Sequence, residues 1–181
     1  MNITLFDDTI QLKLPDTYEQ IPIPLLSKNN VEASSNETML EGFHNQNEAY
    51  ILGAVSKESW KNNLESMLNK QYQLLANTLP NIKGADFASK QFSWTDRNSH
   101  QTYATTFGMI RYTFCNDEMG WIAMLILLPV HQKIAKLSLI GNAEHLMSRV
   151  MEFMSIANSI QLLEPDQPAR PEPEPPEDAT K

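Results

Sequence analysis

The chain has 181 residues and a net charge of −8, with 41% hydrophobic side chains, 20% charged side chains and a single cysteine. That is enough chain for one domain with a sizeable core, in the composition range of ordinary globular proteins. An acidic chain with no basic run lacks the footprint that a phosphate backbone demands, which excludes nucleic acid from the expected partners. The lone Cys115 excludes an intrachain disulfide.

The opening MNITLFDDTIQ has neither a basic n-region nor an apolar h-region, so no secretory signal is expected in it. The longest strongly apolar run, Trp121 to Val130, has ten residues. A spanning helix needs about 20, so this run reads as a strand buried on both faces, and stable membrane insertion is not expected. A cytoplasmic location follows as the expectation.

In chain order, residues 3–14 alternate around an acidic turn at Asp7-Asp8, with Ile10, Leu12 and Leu14 on one side of a strand. Ile21 to Leu26 reads IPIPLL, where two prolines confine the segment to a sheet edge or an irregular extended stretch. A polar loop is expected over residues 27–38, and strand character returns from Met39 to Val55. The first helix is predicted over 56–79, with Ser56 as N-cap and an apolar stripe of Trp60, Leu64, Met67, Leu68, Gln71 and Leu75. Strands are expected at Ala88 to Trp94, at Thr102 to Phe114 after a turn over 95–101, at Trp121 to Leu128 and at Ile134 to Ile140. A second helix opens at Asn142, with a stripe of Leu146, Val150, Phe153, Met154, Ala157 and Ile160.

Short turns between the strands point to an α+β fold: a largely antiparallel sheet with both helices on one face. Residues 1–163 then form a single domain. Residues 164–181 hold six of the eleven prolines and six acids against Arg170 and Lys181, which marks an acidic, proline-rich disordered tail.

Chemistry-bearing patterns are sparse. The four histidines stand singly, and no HxH, CxxC or i, i+4 histidine pair supplies metal-ligand spacing. No G-x-S-x-G, P-loop or G-x-G-x-x-G occurs, so no catalytic residue, metal or cofactor is expected, and the chain does not read as an enzyme. Cys115 follows a strand instead of opening a helix, which favours a structural thiol. Nine methionines are the most telling compositional feature, because adaptable apolar binding surfaces overuse this residue. Met67, Met147, Met151 and Met154 are expected to pack the helices on the sheet. Met109 shares a strand face with Tyr103 and Phe107, and with both helices on the other face these side chains form an exposed apolar interaction surface.

The strand pair ending in Leu14-Pro15-Asp16-Thr17-Tyr18, the helix ending in Leu79-Pro80, the strand run and the closing helix ending in Ser159-Ile160 resemble the DcrB-like proteins, which have a PsbP-like α/β sandwich. In character the chain is most similar to leaderless Eag-type chaperones of type VI secretion. That resemblance implies a cytosolic homodimer that shields hydrophobic N-terminal segments of Rhs or PAAR effectors. It also implies that part of the client surface lies on Ile21, Ile23 and Leu25, which join Phe107 and Met109 as the expected partner-binding residues. An immunity protein or secretion adaptor that binds a soluble toxin domain is the alternative, and it calls for a polar, charge-complementary surface. Deleting residues 165–181 should move the melting temperature by no more than about 2 °C, since solvated residues without core contacts contribute little to stability. Calorimetry on the full and truncated chains checks this, and a larger loss would show that the tail docks.

Overall fold

The structure, a computed structural model, describes residues 1–22, 37–46, 48–60, 63–79, 81–95, 102–116, 119–130 and 132–163. Most of the expected 27–38 loop, the turn at 96–101 and the tail from 164 lie outside the described residues. The strands are β1 (Asn2–Leu5), β2 (Ile10–Lys13), β3 (Glu19–Gln20), β4 (Glu37–Asn45), β5 (Ala49–Ser59), β6 (Lys83–Thr95), β7 (Thr102–Asn116), β8 (Met119–Val130), β9 (Lys133–Asn142) and β10 (Gln161–Leu162). Helix α1 spans Leu64–Thr78, and α2 spans Leu146–Asn158 after a 3-10 turn at Ala143–His145.

Seven strands form one antiparallel sheet in the order β3-β4-β5-β9-β8-β7-β6, and β1, β2 and β10 form a small sheet of their own. Alternation along the strands separates two cores. Ile110, Tyr112, Ala123, Leu125 and Leu127 meet Met67 and Leu68 of α1. Phe107, Met109, Met124, Ile126 and Leu128 meet Phe153, Ile156 and Ala157 of α2, together with the inward side chains of β1 and β2. The fold is α+β with a mostly antiparallel sheet, but the two helices lie on opposite faces of it and not on one. The reason sits in β8, where Ala123 to Leu128 are buried without alternation. A central strand that is apolar on both sides needs a layer on each.

The same burial corrects the expected apolar surface. Phe107 is 0% exposed and Met109 only 7%, because α2 and the small sheet cover the face that was expected to be free.

The first helix begins later than its sequence pattern indicates. β5 continues past a bulge to pair Ser59 with Lys133, so Ser56 is buried in a strand. The cap is Asn63, whose Oδ1 accepts from the Ser66 N–H at 3.0 Å. Gly108 gives α1 its seat: a Cβ there would lie 2.8 Å from methyl carbons of Leu64 and Leu68. At the second helix Asn142 caps the 3-10 turn that leads in, its Oδ1 accepting from the Glu144 N–H at 2.7 Å, and α2 itself starts four residues later at Leu146.

The small sheet is anchored by the β1–β2 turn, where Phe6, Asp7 and Asp8 all take positive φ of 54–60°. Such angles are costly for a bulky side chain and persist only when the surroundings hold them. Phe6 is fully buried, its ring would stand 3.1 Å from a Cβ at Gly53, and its N–H donates to the Glu41 carboxylate at 3.2 Å. Burial pushes the Glu41 carboxyl above its ordinary value, Asp7 and Asp8 push it further, and the Phe6 N–H opposes them. A carboxyl raised on folding weighs against the folded state when ionised. That cost is full at neutral pH and is relieved as pH falls through the raised value toward 4.5. Glu41→Gln should therefore be at least as stable as the native chain at pH 7, and lose that advantage near pH 4.5. Urea midpoints at the two pH values test this. A variant equally weakened at both would show that the bond to Phe6 outweighs the charge.

Candidate functional site

Helix α2 does not cover the whole of its sheet face. Where β6 and β7 run beyond it, a groove of about 260 Å³ opens. Leu146, Met147, Val150 and Phe153 of α2 form one wall, and Ile122 and Met124 of β8 contribute to the floor. The far rim carries Asp86 and Arg111, joined as a bidentate pair that includes Arg111 Nε to Asp86 Oδ1 at 3.1 Å. Apart from that pair, whose charges answer each other, the lining is mainly apolar.

The exposed face of α2 is unusual. Met147 is 71% exposed, Met151 69% and Leu146 44%. Met67 and Met154 pack as expected, but Met109 is core and not surface, whereas Met147 and Met151 face solvent and not the sheet. The helical wheel holds the signal. At 100° per residue, Met147 and Met151 stand about 100° or more from the Leu146–Phe153–Ala157 line, while Arg149, Ile156 and Ile160 share the buried side.

Arg149 fixes that helix in place. It is 7% exposed and lies flat on β9, where a Cβ on Gly141 would come within 2.7 Å of its Cδ. Its Nη1 donates to Glu152 at 2.9 Å and its Nη2 reaches Glu48 at 3.5 Å, while Nε has no partner among the described residues. Tyr18 donates its hydroxyl to the other Glu152 oxygen, and burial first, then this carboxylate, raises the phenol above its ordinary value. The aromatic residue of the Leu14-Pro15 motif thus clamps α2 and does not project to a partner.

Of the expected site residues that the structure describes, Ile21 does not converge with Phe107 and Met109. Ile21 is half-buried, with its N–H bonded to Gly42 O at 2.8 Å, which extends the edge strand β3. It lies five strands from β7, about 24 Å at normal strand spacing. Ile23 and Leu25 lie outside the described residues. Cys115 is exposed and not packed. Among the described residues no three His, Cys, Asp or Glu side chains gather as a metal site, and no helix is long and apolar enough to cross a membrane.

No family model and no curated protein matches the sequence. Solved structures do. Cyanobacterial PsbP (CyanoP) from Synechocystis aligns over 90% of this chain and 91% of its own, with 9% identity and a TM-score of 0.54. The fold is PsbP-like. The Ran-binding protein Mog1p of Saccharomyces cerevisiae aligns over 91% of this chain and 95% of its own at 8% identity, with a TM-score of 0.49. Identity this low speaks for the PsbP-like architecture alone, in which the groove and the Arg149 clamp are built from this chain's own residues.

Removing one partner of a buried ion pair costs roughly 3–5 kcal/mol, and Arg149→Met should fall toward the low end because Glu48 is exposed. The double variant Arg149→Met/Glu152→Met should recover part of the loss, since no carboxylate is then left unpaired beneath Tyr18. Denaturant titration of both variants measures this. A double variant no better than the single would mean that Glu152 is held by solvent and not by Arg149.

Proposed function

We propose that this chain is a non-enzymatic protein-binding module that acts in the cytoplasm as a chaperone or adaptor, shielding an apolar segment of a type VI secretion effector. The groove beside α2, with Met147 71% and Met151 69% exposed on the helix that walls it, carries this reading. Met147 stands in the groove wall and Met151 one turn further along the same exposed side of α2, and flexible, polarizable side chains of this kind adapt to helices of differing sequence. The occupant is an apolar helical segment. The Asp86–Arg111 pair is internally neutralised, so the groove has little free charge with which to select a polar toxin surface. The resemblance to Eag-type chaperones supplies the secretion setting, and the groove supplies a physical place for the client.

The test uses a labelled synthetic helix of about 20 apolar residues with lysine ends. The protein should bind it and suppress its aggregation, read by anisotropy and light scattering. Met147→Glu/Met151→Glu would place two carboxylates in the contact and weaken binding by at least about tenfold. Circular dichroism and melting should barely change, because both side chains are exposed in the free protein. Unchanged binding by a folded double variant would move the site away from α2.

A further inference from the structure

A methionine thioether takes up one oxygen to become a sulfoxide, which turns a flexible apolar side chain into a polar, chiral one. Access by the oxidant decides which methionines react first, and in this chain access is sharply divided. Met67, Met109 and Met124 are buried, and Met154 is packed against the same core as Met109. Met147 and Met151, at 71% and 69%, are more exposed than any other large hydrophobic side chain among the described residues. Four residues apart on α2, they share one side of the helix, Met147 in the groove wall and Met151 one turn further along. Met1 and Met119 are also exposed, but neither lines the groove.

We propose that Met147 and Met151 form a reversible oxidation site through which a peroxide-class oxidant releases an apolar client from the groove. The thioether sulfur attacks one peroxide oxygen, the O–O bond breaks, and a proton passes to the departing oxygen. Sulfur is oxidised by two electrons, and hydrogen peroxide is reduced to water. A thiol-dependent sulfoxide reductase reverses the step: two thiols become a disulfide, and the oxygen leaves as water. The sulfoxide oxygen is a strong acceptor in need of a donor. Polar groups of the groove are already engaged, Arg111 with Asp86 and the Thr113 hydroxyl with Lys83 O at 3.2 Å. An apolar helix brings no side-chain donor either, so its docking strips water from the sulfoxide and gives nothing back.

This regulation rests on the groove being the client site, and it leaves the fold alone. In the free protein both side chains stand in water, so the two added oxygens disturb no packing. The same oxygen on Met67, Met109 or Met124 would have to enter a close-packed core. Graded exposure therefore gives the chain a range of oxidant dose in which the groove is altered and the domain is intact.

The test treats the full chain with hydrogen peroxide, quenches it with catalase and maps the added oxygens by mass spectrometry. A labelled, methionine-free helix of about 20 apolar residues with lysine ends is then the probe. Met147 and Met151 should each gain one oxygen before Met67, Met109 and Met124 gain any, and affinity read by anisotropy should fall at least about tenfold. Methionine sulfoxide reductases A and B with dithiothreitol should remove those oxygens and restore binding. In Met147→Leu/Met151→Leu, which keeps an apolar helix former of similar volume at both positions, peroxide should leave affinity at that variant's own starting value. Three results overturn the proposal: oxygen reaching the buried methionines first, undiminished affinity in a chain oxidised at both positions, or the same loss in the folded double variant. Reversal by the reductases is read on the native chain, so the test stands even if the variant misfolds, and a loss that persists once both oxygens are gone overturns the proposal as well. A reduced native chain that fails to bind the helix refutes the groove as client site. One that binds but does not respond to peroxide refutes only the oxidation site.

Discussion

A sheet that is apolar on both sides must be covered on both sides, and most of this structure follows from that demand. The run from Ala123 to Leu128 at the centre of β8 is buried without alternation. Water on either side of it would cost about 25 cal/mol for each Å² of apolar surface left exposed. α1 answers on one face, and α2 with the small sheet answers on the other. The positive-φ turn at Phe6, the Gly108 seat and the flat-lying Arg149 are the local devices that let those layers come close enough.

The covering is uneven, and function is read where it is thin. On the first face α1 packs over β7 with Gly108 beneath it. On the second, Arg149 ties α2 to Glu48 beside β5 and lies on β9, and a groove stays open where the start of β6 and the end of β7 pass the first turns of α2. A helix fixed by ion pairs along one flank and bearing methionine on the other is stable in place without its exposed side being specified by the core. Those exposed positions can therefore follow the needs of a partner without disturbing the fold.

The sequence carried the elements well and their packing less well. Strand alternation at Phe107, Met109, Ile110 and Tyr112 put the right side chains on the right faces, and the Asn142 cap and the acidic turn at Asp7-Asp8 were legible from local chemistry. The start of α1 was not, because Ser56 and Asn63 are both good caps and only the long-range pairing of Ser59 with Lys133 decides between them. Which face each helix covers is equally non-local. Short turns fix that neighbouring strands are antiparallel but carry no information on where a helix lands, so Phe107 and Met109 read as surface although they are core. The exposed methionines of α2 were written in its helical wheel, and so was Arg149, a lone charge on the buried side.

β10 pairs with β2 and not with its sequence neighbours: Gln161 stands opposite Gln11, 150 positions away. The second layer thus consists of the first strands of the domain and its last. While the chain is being synthesised, β1 and β2 have no partner along that edge until α2 and β10 have emerged. Loop-closure entropy for so distant a contact must be met before the contact repays it, so folding should be late and slow at this layer. During that interval Phe107, Met109 and the β8 core are open on one side. The apolar surface that the finished molecule hides is therefore the last to be covered during synthesis, and it is the surface most exposed to aggregation while the chain is incomplete.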